Sequence, residues 1–205
     1  MLRRRRDRSR DQPADPGAPA GLPPAAGPDP GVLAEVPARV RPQVDDALAA
    51  QQRWRALVAG QGEGPLRDRL AGWTDRIDAA VAEVLDTAAR VGRIESTARA
   101  LEPERTTAAF KAARRAQAAG DAPPELELLE ARFASVQRLL NAVGEAEERL
   151  RLLDARLGAI VARGAELSLL GWRDGADRLD QDLDRLADEL GHLRAALGDL
   201  GARPA

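Results

Sequence analysis

A row of regularly spaced leucines near the end of the sequence limits the possible folds more than any other feature. The intervals between successive members alternate between four and three residues. The row consists of Leu179, Leu183, Leu186, Leu190, Leu193, Leu197 and Leu200. An α-helix turns once every ~3.6 residues, so a sustained average spacing of ~3.5 keeps one narrow apolar stripe directed at a neighbouring helix. The row therefore predicts a helix that packs against another helix, and it is a candidate interaction seam.

A second apolar track with the same alternation runs through the segment from Pro65 to Leu101. Its members are Leu66, Leu70, Trp73, Ile77, Ala80, Val84, Thr87, Val91, Ile94, Ala98 and Leu101. Val81 and Leu85 lie beside the track and widen the apolar stripe. A wider stripe is typical of a helix in a multi-helix bundle rather than in a two-stranded coil.

Proline and glycine mark the ends of the other predicted helices. A proline is tolerated in the first turn of a helix, and glycine is common just after the last turn. The first predicted helix covers residues 42–59, before a glycine-rich link at 60–64. The third covers 124–170 and follows a turn at 120–124. Pro103 predicts an interruption after the second helix, since its ring clashes with the carbonyl four residues earlier.

These patterns predict an all-α fold, as an elongated helical bundle or antiparallel coiled-coil hairpin of about four main helices with a disordered N-terminal tail. The tail covers residues 1–30, which combine many prolines with little apolar surface. The first helix falls in residues 31–60. Residues 61–205 form the long helical hairpin and the C-terminal leucine helix. We expect the second and third helices to pair antiparallel through the turn at 120–124.

Composition excludes several classes of protein. The chain has no cysteine, so disulfides, thiolate metal sites and cysteine nucleophiles are excluded. Its net charge of −2 does not indicate a general polyanion binder. Lysine occurs once, at Lys111, so arginine supplies nearly all of the 31 basic residues. This bias predicts a bacterium with a GC-rich genome. No apolar run is long enough for a transmembrane helix, and no apolar segment follows the basic N-terminus as in a secretory signal. We therefore expect a cytoplasmic protein.

No pattern in the sequence predicts catalytic, cofactor-binding or metal-binding residues. His192 is the single histidine. It lies two residues after Leu190, away from the leucine stripe, and is interpreted as a surface residue. The glycines at 60–64 lack the lysine and hydroxyl residue of a phosphate-binding loop. We therefore expect that the protein is not an enzyme, needs no cofactor and has no small-molecule substrate.

A cluster of arginines at the start of the tail supports an alternative function. The candidate electrostatic tether consists of Arg3, Arg4, Arg5, Arg6, Arg8 and Arg10. Such a cluster can hold an anionic membrane, at about 1 kcal/mol per basic residue near the surface, or nucleic acid. It can equally be a solubilising tail in an arginine-rich proteome. Salt-sensitive co-sedimentation with liposomes or DNA distinguishes these alternatives. The full chain is compared in this test with a chain that begins at Gly31.

The leading hypothesis is a non-enzymatic coiled-coil scaffold or adaptor that acts through helix–helix contacts with itself or with a protein partner. The alternative is a peripheral membrane- or nucleic-acid-associated protein held by the arginine cluster. The sequence leaves open whether the leucine row is an interface or the core of a single chain, because leucine at every position specifies neither strand number nor orientation. If it is an interface, Leu186→Asp with Leu193→Asp lowers the oligomer mass without unfolding the chain.

Overall fold

The computed structural model describes the backbone of residues 27–170 and 175–202, and side chains in 27–169 and 175–199. The described backbone is all-helical and contains no strand, which confirms the predicted all-α class. No described helix has a stretch apolar and long enough to span a membrane. The helices are α1 (Pro30–Glu35), α2 (Arg41–Ala59), α3 (Pro65–Gly72), α4 (Thr74–Ala100), α5 (Pro103–Ala118), α6 (Leu126–Leu170) and α7 (Ala176–Ala202).

Several helix starts follow the proline signals in the sequence. Proline occupies the first or second position of α1, α2, α3 and α5. At that position its fixed φ suits the helix and its missing N–H would have had no partner. At α1, the Asp29 side chain also accepts a hydrogen bond of 2.8 Å from the backbone N–H of Gly31. This carboxylate caps one of the free N–H groups of the first turn.

Two of the predicted boundaries differ from the structure. The predicted first segment, 31–60, contains a short helix, α1, before the longer α2. The predicted helix from Pro65 to Leu101 is divided at Trp73 into α3 and α4. The Trp73 N–H bonds to the carbonyl of Leu70 at 3.2 Å, which is the tighter i→i+3 bond of a 3₁₀ turn. The apolar spacing continues through this turn, and for that reason the periodicity did not reveal it.

The interruption predicted at Pro103 is present and is sharper than a kink. Glu102, just before it, adopts a left-handed backbone conformation with φ 49° and ψ 66°. Non-glycine residues rarely adopt this conformation because the side chain crowds the backbone. The Glu102 N–H bonds to the carbonyl of Arg99 at 3.0 Å, and its carbonyl accepts from the N–H of Thr106 at 2.9 Å. These bonds hold the bend between α4 and α5.

Helices α4 and α6 lie at the centre of the helix packing. They pack against each other, and both also pack against α2 and α7. Pairs of side-chain contacts give the directions: α2 is antiparallel to α4, α6 is antiparallel to α7, and α4 is parallel to α7. The contacts are Gln51–Asp78 and Trp54–Thr74 for α2 with α4, Arg156–Glu189 and Arg163–Asp182 for α6 with α7, and Trp73–Asp180 and Glu83–Arg194 for α4 with α7.

One continuous apolar core joins these four helices. Its members are mainly leucine, valine and alanine, and they come from α2, α3, α4, α6 and α7. The largest fully buried side chains include Trp54, Leu70, Ile77, Leu150, Leu157, Ile160, Leu179, Leu186, Leu190 and Leu193. Each such leucine or isoleucine contributes about 1.5–3 kcal/mol by its removal from water. Burial in this shared core is therefore the main force that holds α2, α4, α6 and α7 together.

Candidate interaction surface

The leucine row of α7 faces the inside of the chain. Leu179, Leu183, Leu186, Leu190, Leu193 and Leu197 are each at most 4% exposed and belong to the shared core. The side chain of Leu200 lies outside the described residues. The sequence left open whether the row is an interface or intrachain core, and in the described chain these six leucines lie in the core. The partners that its spacing requires are α4 and α6 of the same chain.

The charged residues that flank the leucine row also have partners within the chain. Glu189 pairs with Arg156 of α6, and Arg194 donates to Glu83 of α4 at 3.0 Å. If the leucine rows of two copies packed in parallel against each other, Glu189 of one copy would instead face Arg194 of the other. Both edges of the row are thus committed to helices of the same chain.

A pair of tryptophans lies at the junction where α2 and α4 meet α6 and α7. Trp54 is fully buried, and its Nε1 donates to Thr74 Oγ1 at 3.2 Å. Trp73 lies beside it with 6.3 Å between ring centroids, and its Nε1 donates to Asp180 at 2.7 Å. Arg69 lies over the Trp73 ring and also donates to Asp180, at 2.9 Å. Every polar group in this junction is matched within the chain, so it is structural rather than a binding pocket.

A different region is left without a full set of neighbours. We define the arm as α5, the turn after it and the first part of α6, residues 103–142. Among the described helices α5 packs substantially against α6 alone. Along α6, α7 runs back from its start near Leu167 and α2 begins beside Glu147, so both cover mainly the later part of the helix. The end of α7 reaches Asn141 and Ala142, and the end of α4 reaches Arg132, which donates to the Leu101 carbonyl at 3.3 Å. At 45 residues, α6 is ~68 Å long and extends well past this shared core.

The arm exposes apolar side chains that the core would otherwise bury. The rings of Phe110 on α5 and Phe133 on α6 stack with centroids 4.5 Å apart, and both are half-buried. Leu128 is 72% exposed and Leu140 is 39% exposed. Aromatic rings and leucines on a two-helix layer are the features expected of a surface that receives another helix.

The two sides of the turn at 120–124 carry opposite charge. Helix α5 has Arg105, Lys111, Arg114 and Arg115 against Glu104, a net charge of +3. The segment 121–130 has Asp121, Glu125, Glu127 and Glu130 and no basic residue, a net charge of −4. In the described part of the chain no ion pair joins the two groups. Arg114 donates instead to Gln117 at 2.8 Å. The arm thus presents a basic α5 and an acidic segment at 121–130. Arg132 and Arg138 follow that segment, so the first part of α6, residues 126–142, has no net charge. Within the basic group Arg105 pairs with Glu102 at 3.1 Å.

The groups that could do chemistry are dispersed. No cluster of three or more histidine or acidic side chains suited to a metal occurs in the residues that the structure describes. His192 is exposed on α7. The candidate tether, Arg3 to Arg10, lies outside the described residues, and so does Trp172.

In the part of the chain that the structure describes, Asp154 on α6 is the titratable group whose pKa its surroundings shift most clearly. Burial raises the pKa of this carboxyl above its ordinary value, and the charge of Asp46 on α2 raises the pKa further, while Arg53 opposes the change. Both Asp46 and Arg53 are exposed on the helix that packs against α6. When folding raises the pKa of a carboxyl, the folded state favours its protonated form. The charged form of the same carboxyl then lowers the stability of the fold.

This pKa shift gives a prediction for stability. The contribution of Asp154 is most favourable below the unfolded pKa of the carboxyl and is lost as the pH rises through the folded pKa. We expect Asp154→Asn to raise the thermal midpoint at pH 7, with a gain that shrinks towards pH 3. Circular dichroism melts over this range measure the effect, with Asp188→Asn, an exposed aspartate on α7, as the control. An equal gain from both variants would contradict the prediction.

Sequence reasoning did not single out the arm. One signal was available: the charge changes from basic to acidic across the turn at 120–124. Compared with models of known protein families, with curated proteins and with solved structures, the chain has no match.

Proposed function

We propose that this protein is a non-enzymatic scaffold or adaptor that acts through helix–helix contacts with another copy of itself or with a protein partner. In this proposal α2, α4, α6 and α7 form an elongated bundle, and the arm extends from it as an antiparallel helical hairpin. The arm, rather than the leucine row, makes the contact.

The observation that carries the proposal is the half-buried pair of stacked rings, Phe110 and Phe133, on a part of the chain where α5 packs substantially against α6 alone. Two helices bury little apolar surface between them, and short helices are marginally stable without tertiary packing. In the arm, the fully buried positions are few: Thr106, Ala113, Leu126 and Val136. A third or fourth helix supplied from outside would complete the packing of the rings.

The remaining surface supports this choice of site. Charged side chains on the body already have partners on neighbouring helices, as in the Arg194–Glu83 and Arg76–Asp180 pairs. The body also contains exposed leucines, Leu152 and Leu169, but these are single residues on different faces of α6. Isolated exposed leucines are common on monomeric proteins and need no partner.

Site-specific photo-crosslinking in the source cells tests the proposal. A photoreactive phenylalanine analogue replaces Gln137, which lies four residues after Phe133 and so shares its face of α6. We expect a covalent adduct of higher mass, because a helix packed on the rings would lie within reach of this position. The measurement is immunoblotting of the irradiated cells.

The matched control is the same analogue at Gln52, an exposed glutamine on α2 in the body. We expect no adduct there, since no unpartnered apolar face surrounds it. Adducts at Gln52 but not at Gln137, or at neither position, would show that the arm is not the contact surface.

A further inference from the structure

We infer that the partner of the arm is the arm of a second copy of this chain, in a two-fold pair that places α5 of each copy against α6 of the other. This inference rests on the proposed function and adds the identity of the partner. It is carried by the arrangement of charge around the stacked Phe110 and Phe133 rings.

The charges lie at matched positions beside the two rings. Arg114 lies four residues after Phe110, and Glu130 lies three residues before Phe133. At helical spacing each charge therefore borders the same face as its ring. Lys111 and Glu127 continue the two charged borders. The ring face, defined by these six residues, has an apolar centre with a basic edge on α5 and an acidic edge on α6.

Such a face is complementary to itself. In a two-fold interface, if a residue i of one copy meets residue j of the other, then j of the first also meets i of the second. When α5 of each copy lies against α6 of the other, Lys111 and Arg114 approach Glu127 and Glu130 twice. The opposite arrangement, α5 against α5, brings like charges together and is disfavoured. The charge pattern thus selects one of the two possible pairings.

The size of the face indicates how strong the pairing is. Helix α5 has 16 residues and is ~24 Å long, and two adjacent helices are ~20 Å wide. Pairing of two such faces would bury about 1,000 Å² in total. That area is at the lower limit of specific interfaces, so the pair forms reversibly and depends on concentration.

The arginine cluster of residues 3–10 is the other occupant with complementary charge. It could neutralise Glu127 and Glu130, but it has no apolar side chains to cover Phe110 and Phe133. A second copy of the arm satisfies both the rings and the charges. We therefore infer self-association, and removal of residues 1–26 tests the tail directly.

Charge-reversal variants of the intact chain provide the experiment. The first is Lys111→Glu with Arg114→Glu, and the second is Glu127→Lys with Glu130→Lys. All four residues are exposed, so the fold of the chain does not depend on them. Light scattering after size exclusion, at several protein concentrations and two salt concentrations, gives the mass. We expect the unchanged chain to approach twice its monomer mass as concentration rises, and to do so less at high salt.

Each variant alone should weaken the pair by about tenfold or more, because its two arms then carry like charge. An equal mixture of the two variants should recover the pair. The matched controls are Arg149→Glu with Arg178→Glu and Glu148→Lys with Asp188→Lys, all exposed and without ion pairs in the described body. These controls should keep the behaviour of the unchanged chain.

Three results would overturn the inference. The first is a monomer at every concentration up to about 0.5 mM, a range that detects even weak pairs. The second is a dimer that both variants leave intact, and the third is a dimer lost on removal of residues 1–26. If the mass stays monomeric while Gln137 still forms a crosslink in cells, the partner is another protein and the proposed function stands. If the crosslink also fails, both proposals fall.

Discussion

Replacing Leu186 with aspartate is expected to unfold the chain rather than to separate two copies. Leu186 is 1% exposed in the core between α7, α4 and α6. Shortening a buried leucine to alanine costs about 2–5 kcal/mol, and an unpaired carboxylate at the same place costs more. A domain is stable by only about 5–15 kcal/mol in total. We therefore expect a large loss of helical signal in circular dichroism, and complete loss when Leu193→Asp is added.

Leu152→Asp on α6 is the control for this experiment. Leu152 is 59% exposed, so the same change of side chain there should leave the melting curve nearly unchanged. The leucine row would be an intermolecular seam after all if Leu186→Asp kept its helical signal and only reduced the mass measured by light scattering.

The second large effect is expected at Trp54, where truncation to alanine should cost about 3–5 kcal/mol. Its ring is fully buried at the junction of α2, α4 and α6, and its Nε1 donates to Thr74 Oγ1 at 3.2 Å. The measurement is the urea concentration at the midpoint of unfolding, with the dependence of the unfolding free energy on urea concentration unchanged between variants. Trp54→Phe keeps a ring but removes the donor, so it should cost less than alanine. Equal midpoints for Trp54→Ala and the unchanged chain would contradict this prediction.

The same junction can be tested from its opposite side, at Gly164 of α6. A Cβ added there would lie 2.2 Å from Cζ3 of Trp54, a distance at which the ring has to move. Gly164→Ala should therefore destabilise the chain, although alanine is the better helix former. Gly144 and Gly158, on the same helix, have no atom within 4 Å of the added Cβ. Their alanine variants should stabilise the chain by up to about 1 kcal/mol each.

The sequence predicts individual helices well because each has local signals. Prolines in the first turn gave the starts of α2, α3 and α5 within about two residues. The turn before α6 was also recognised from glycine and proline. The apolar spacing identified most of the buried residues of α4 and α7, including Thr87, which is 1% exposed. It missed the buried Thr74, Ala88 and Ala89 of α4. These signals act within one helix and need no knowledge of the partner.

The sequence does not predict which helices meet, and for this reason it left open whether the leucine row is an interface or the core of a single chain. A stripe of leucines looks the same whether its partner is in the same chain or in another. The contact of Gly164 with Trp54 joins residues 110 positions apart, and glycine inside a helix carries no signal of its neighbour. The arm was missed for the opposite reason. It is distinguished by the described helices that leave it uncovered, and a missing neighbour leaves no periodic pattern in the sequence.

The backbone hydrogen bonds of the two parts of α6 differ in how easily they open, because the two parts have different neighbours. The later part is surrounded by α2, α4 and α7, so its backbone hydrogen bonds break only when the shared core is lost. The first part is supported by α5 and its bend at Glu102, and it can open locally without disturbing that core. Amide hydrogens in residues 103–142 therefore exchange with solvent sooner than those near Leu157. Whatever packs on the arm would slow that exchange while it leaves the body unchanged.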